Sequence, residues 1–210
     1  MITISKQDNL VSISINADLI NTSNQSVDLR ALSIAIIEQL KAIYHKSVGK
    51  YSLDIFINFN LLKRVNQCSA ARVLFQVVDT IPGNNPAEAD FKGLRVKLNK
   101  ASVNDMISNR NFRTLPHEVG HLLGLDHPHA NAKYESINPD ANPLEKQLTE
   151  EERKCNLMSQ SWYAQRAGIP LERAVQLTEK QIEVLLQNYN NHQLNKNYHL
   201  KGFLFWKRIV

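Results

Sequence analysis

Two cysteines in 210 residues are too few for a disulfide framework, and Cys68 and Cys155 allow either one bridge or two free thiols. Long apolar runs are also missing. No window approaches the twenty or so residues of a membrane span, so stable membrane insertion is not expected. The first residues, Met1-Ile2-Thr3-Ile4-Ser5-Lys6-Gln7-Asp8, lack the basic and then apolar regions of a signal peptide. The formal net charge of +5 is modest, its bases are spread along the chain, and no recognisable nucleic-acid motif accompanies them. Nucleic acid is therefore not an expected partner. What remains is ample core material: 43% hydrophobic residues over this length suffice for one compact domain spanning 1–210.

The densest chemistry lies in His117-Glu118-Val119-Gly120-His121-Leu122-Leu123-Gly124-Leu125-Asp126-His127. On a helix, His117 and His121 stand one turn apart on one face, so both rings can point at one metal ion. Gly124 is where such a helix can stop, because glycine enters the left-handed conformation at little steric cost. His127 then swings back as a third ligand. Three neutral nitrogens leave a fourth tetrahedral position open, the mark of a catalytic rather than a closed structural zinc site. Glu118 is placed to take a proton from water there. Val119, Leu122, Leu123 and Leu125 supply the apolar faces of a packed helix.

This run resembles the HExxHxxGxxH stretch of the metzincin metallopeptidases. The resemblance implies one catalytic zinc ion held by His117, His121 and His127, with Glu118 as general base. It also implies a methionine turn beneath the metal, for which Met158 in Cys155-Asn156-Leu157-Met158-Ser159 is the candidate. Several metzincin families carry a tyrosine two residues after that methionine; this chain has Gln160, and Tyr163 is the nearest substitute as a transition-state stabiliser. Pro128 after the third histidine is similar to the serralysin type, but no glycine-rich nonapeptide repeats follow. Leu177 to Gln181 is similar to a helix start in pappalysin-like enzymes. The implied fold is α+β: a mixed twisted sheet with a long backing helix and a long zinc-site helix above a cleft. Residues 1–127 would form the upper subdomain and 128–210 a mostly helical, irregular lower one.

The surrounding pattern agrees with that order of elements. Val11 to Ile15 alternates as a half-buried strand. Asp28 is a cap for a helix in which Leu29, Leu32, Ile36, Leu40 and Ile43 recur at steps of three and four. Tyr51 to Phe59 and Arg72 to Val78 read as strands, and Gly93 to Leu98 as an edge strand along the cleft. Thr114 is the expected cap of the zinc helix, with Pro116 in its first turn. Pro128 to Glu145 reads as a loop. A second ion such as calcium has only Asp126, His129 and Asp140 in its favour, and polar loop residues are usually just solvated. Thr149 caps a short helix through Glu150, Glu151 and Glu152, and Gln176 to Asn188 gives a last helix with Ile182, Leu185 and Leu186 buried. The aromatic and basic tail, Tyr198 to Val210, reads as a closing strand.

The expected activity is zinc-dependent endopeptidase hydrolysis by a metal-activated water, with a protein or peptide as substrate and a monomeric chain. An exported protease or a toxin domain delivered to another cell fits the family's usual sphere of action and the missing leader. The alternative is a catalytically inactive zinc-binding module that recognises a protein partner through the same cleft. Cys68 does not match a matrixin-type cysteine switch.

Overall fold

The chain opens on a hairpin in which β1 (Ile2–Gln7) pairs antiparallel with β2 (Leu10–Asn21), turning at Asp8 with φ of 52°. The computed structural model describes residues 1–90, 94–129, 137–138 and 140–194. Along β2, Val11, Ile13, Ile15 and Ala17 are buried while Leu10, Ser12, Ser14 and Asn16 between them are not, which fixes the face turned to the core. From Ala17 to Ile20 both faces of the strand are covered.

Helix α1 (Leu29–Tyr44) follows, with the Asp28 carboxylate accepting from the Ala31 amide at 3.0 Å. Its stripe of Leu32, Ile36, Leu40 and Ile43 is buried against the sheet. The two-residue β3 (Ser47–Val48) and β4 (Tyr51–Leu62) come next, β4 running parallel to β2 so that α1 is the crossover. Then β5 (Val73–Val78), β6 (Ala87–Ala89) and β7 (Arg95–Asn99) complete the sheet.

The strand order is β3-β4-β2-β5-β7-β6, with β1 pairing β2 beside the half that β5 does not reach. Strands β4, β2, β5 and β7 are mutually parallel, whereas β1, β3 and β6 are antiparallel to their neighbours. This corrects one expectation. The strand expected over Gly93 to Leu98 is β7, an inner strand, and the edge belongs to β6; Gly93 itself lies outside the described residues. Three residues reading Ala-Glu-Ala have little β propensity, and pairing with β7 is what makes them a strand.

Helices α2 (Val103–Ile107) and α3 (Thr114–Leu122) lead to the histidine run, and α4 (Glu150–Lys154), α5 (Ser161–Arg166) and α6 (Glu179–Asn190) make up the remainder. The fold is thus α+β, although α3 has only nine residues where a long helix was expected. Thr149 caps α4 with a reciprocal Glu152 contact, and Thr178 caps α6 in the same way through Gln181. A single apolar cluster runs from Ile13 and Phe75 through Val119 and Leu122 to Met158 and Ile182. Cys68 and Cys155 are free thiols. The tail Tyr198 to Val210 lies outside the described residues, as does 130–136 of the loop after Pro128.

Candidate metal centre

Helix α3 begins one residue earlier than its sequence suggests. The expected cap, Thr114, is already helical and gives its hydroxyl to Asn111 Oδ1 at 2.7 Å, while Arg113 takes the cap position without a side-chain capping bond. Pro116 falls in the first turn, where its missing amide is no loss. Its carbonyl accepts from the buried Tyr44 hydroxyl at 2.9 Å, which ties α3 to the end of α1.

From this anchored helix His117 and His121 project one turn apart. Leu123 ends the helix, and Gly124 takes φ of 83°, reversing the chain so that His127 returns to the same point. A side chain at Gly124 is also sterically barred: a Cβ there would lie 2.5 Å from Asn188 Nδ2, which donates to the Gly124 carbonyl at 3.0 Å.

His127 Nε2 lies 3.1 Å from both His117 Nε2 and His121 Nε2. Among the described residues this is the one cluster of His, Cys, Asp or Glu with metal-ligand spacing. Asp126, His129 and Asp140, the candidates for a second ion, form no such cluster. The outer nitrogens settle what the inner ones carry. His117 Nδ1 donates to the Leu157 carbonyl at 2.8 Å and His121 Nδ1 to the Leu125 carbonyl at 2.9 Å, so both rings turn a lone pair inward. With His127 Nε2 also unprotonated, the three nitrogens would converge on one point that a cation can fill. A tetrahedral ion bound at about 2.0–2.1 Å would space its nitrogens by roughly 3.3 Å, close to what is found. The donor set fits zinc.

Burial keeps the three rings neutral and ready to ligate. His117 is held well below the ordinary histidine range by desolvation and by its two neighbours; desolvation lowers His121 to about 3 and His127 to about 4. Glu118 is buried beside them. Desolvation raises its carboxyl to about 7, opposed by the Ala89 amide, which donates to Glu118 Oε2 at 2.7 Å.

These groups line a cleft of about 270 Å³, together with β6, Asn85, Pro86, Arg113, Thr114, Gln160 and Ser161. Met158 is fully buried beneath it, and its Sδ would stand 2.3 Å from a Cβ at position 120. Gly120 is therefore the residue that lets the methionine turn approach α3. Gln160 brings its side-chain amide to 3.5 Å from His127 Nδ1, and a half-turn of that amide would present an acceptor oxygen. Tyr163 packs its ring on His129 with centroids 3.9 Å apart and is not among the described residues that line the cleft.

No protein-family model matches the chain, and no curated protein does so. Among solved structures it is similar to archaemetzincin from Methanopyrus kandleri, with 13% identity and a TM-score of 0.47 over 84% of this chain and 96% of that one. A likeness that distant leaves the reading to the side chains of the site.

Three contributors gave no signal in the sequence. Arg113 is buried, and its guanidinium donates to the carbonyls of Asn156 at 3.2 Å, Leu157 at 2.7 Å and Ala174 at 2.6 Å, to that of Ser159, and to Ser161 Oγ at 3.1 Å. One charge thus organises the whole methionine turn, and desolvation lowers its pKa to about 10. Glu145, also buried, accepts from the Asp126 amide at 3.2 Å beneath the turn that returns His127. The Ala89 amide is a backbone group, invisible to residue-type reasoning.

Proposed function

We propose that this chain is a zinc-dependent endopeptidase of the metzincin type, with His117, His121 and His127 as the metal ligands and Glu118 as the general base. The convergence of three imidazole nitrogens, two of them turning a lone pair inward, beside a buried carboxylate is the observation that carries this reading. Zinc bound there would lower the pKa of a water and polarise the scissile carbonyl. Glu118, raised toward neutrality by burial, suits a group that takes a proton from the attacking water and passes it to the leaving amine. Strand β6 supplies an edge on which an extended peptide can add as one more strand. Met158, packed under α3, would hold the floor of the site. The substrate is a protein or peptide and the enzyme a monomer that works outside the cell that makes it, as an exported protease or a delivered effector.

A zinc-binding module that recognises a partner without cleaving it is the second reading. Gln160, standing where a tyrosine would otherwise reach the metal, is the observation in its favour. Cleavage of a denatured protein or a diverse peptide mixture by the zinc-loaded chain, run beside Glu118→Ala with metal content determined on both, decides between them. Cleavage by the parent alone at equal zinc supports the peptidase. No cleavage by either, with one zinc bound to each, would favour the module.

A further inference from the structure

The hydrogen bonds that pair β6 with β7 fix which way each amide of β6 points. Asn99 donates to the Pro86 carbonyl at 2.9 Å and Asp90 donates to the Arg95 carbonyl at 3.0 Å. In an antiparallel pair, hydrogen-bonded and non-bonded positions alternate, so Glu88 opposite Lys97 is a bonded pair as well. Ala87 opposite Leu98 and Ala89 opposite Val96 are then non-bonded pairs, whose amides and carbonyls face away from β7. The outward face of β6 therefore carries two amides and two carbonyls. One amide is already engaged, because Ala89 N–H donates to the buried Glu118 carboxylate.

We infer that the Ala89 amide is the positioning group for Glu118, and that the outward edge of β6 is divided between the general base and the substrate. Ala89 N–H holds the base, whereas Ala87 N–H, Ala87 C=O and Ala89 C=O are left for an extended peptide. This inference rests on the peptidase reading, and it adds a register to it. A peptide strand on β6 receives one amide donor, from Ala87, and none from Ala89. Its backbone beside Ala89 must offer a donor to the Ala89 carbonyl without seeking a donor in return. Glu118 has two oxygens, so anchoring Oε2 on the edge leaves Oε1 to meet water in a fixed orientation. Positioning of this kind acts on the chemical step more than on binding.

The test replaces single backbone amides by esters in the full zinc-loaded chain, incorporating the α-hydroxy analogue of alanine at position 89 or at position 87. Each ester removes one outward N–H and weakens one inward carbonyl, that of Glu88 or of Pro86, so the pair controls for the chemistry of the change. The position-89 ester is expected to lower kcat about tenfold to a hundredfold at unchanged KM and zinc content. The position-87 ester is expected to raise KM several-fold at unchanged kcat. Equal effects of the two esters on kcat would overturn the division of the edge.

A readout independent of activity is residue-resolved amide hydrogen exchange. Ala89 should be protected in the parent and in Glu118→Gln, whose amide oxygen still accepts, and should exchange fast in Glu118→Ala. Asp90, bonded inward, should stay protected in all three. An Ala89 amide that exchanges as fast as that of Ala87 in the parent, or stays protected in Glu118→Ala, overturns the inference. If no peptide is cleaved, the peptidase reading fails while exchange still judges the tether.

Discussion

At the residue scale, two buried carboxylates, Glu118 in the cleft and Glu145 beneath the turn that returns His127, answer to different partners. Glu118 keeps one backbone donor and faces the histidines, whereas Glu145 faces the backbone of Asp126 and, through burial and the Asp126 charge, is raised to about 8. An unfolded glutamate titrates near 4.5. Between those values the folded chain holds a proton that the unfolded chain has lost, so the contribution of Glu145 to stability is present at low pH and falls as pH rises toward 8. Glu145→Gln has the shape of the protonated acid and no such titration. Its stability relative to the parent should rise with pH from about 5 to 8, by up to about 1.4 kcal/mol per unit. Urea unfolding of both metal-free proteins across that range measures the difference. A constant difference would place the Glu145 pKa in the ordinary range. The histidines act with the opposite sign: their depressed folded values mean that stability is lost as pH falls below about 6.5, equally in both proteins.

At the scale of elements, two loops are held by single buried groups. Arg113 offers its guanidinium to four carbonyls and the Ser161 hydroxyl, so truncation would strand several buried acceptors at once. Arg113→Met should cost at least about 3 kcal/mol in denaturant unfolding, and Arg113→Lys should recover little, since one ammonium cannot reproduce a planar fork. Gly124 couples the end of α3 to α6. A Gly124→Ala chain meets both a positive φ and Asn188, and should lose about 1–3 kcal/mol. Asn188→Ala added to it should relieve only the clash, leaving the backbone strain. The same elements show what the sequence made legible. Asp28, Thr149 and Thr178 carry caps whose spacing is local, and α1 shows its stripe because helix periodicity is local too. The bounds of β6, and its place at the edge, depend on which strand it pairs with, and Ala-Glu-Ala carries no trace of that partner. Arg113 was illegible for a related reason: nothing within its own segment marks an arginine whose acceptors lie some 43 to 61 residues away.

At the scale of the whole molecule, the histidine spacing was legible because one helical turn and one left-handed glycine determine it, both local properties. What surrounds it is assembled from distant segments. His117 leans on Leu157 of the methionine turn, His127 is returned by a turn that rests on Glu145 and Asn188, and α3 is tied to α1 through Tyr44. A metal held by the triad therefore joins α3 to the turn after it, and only the folded chain presents all three ligands together. Binding confined to the folded state stabilises by RT ln(1 + [L]/Kd), about 2.7 kcal/mol at a hundredfold excess over Kd. For a chain of this size that corresponds to a rise in thermal midpoint of roughly 5–10 °C. Zinc added to the chelated parent should produce this rise, and Glu118→Ala should show it undiminished, because a general base is no ligand. His127→Ala should lose most of it, having two nitrogens left where three are needed. A full zinc-dependent rise in His127→Ala would remove the third histidine from the ligand set, and with it the open tetrahedral position on which the chemistry depends.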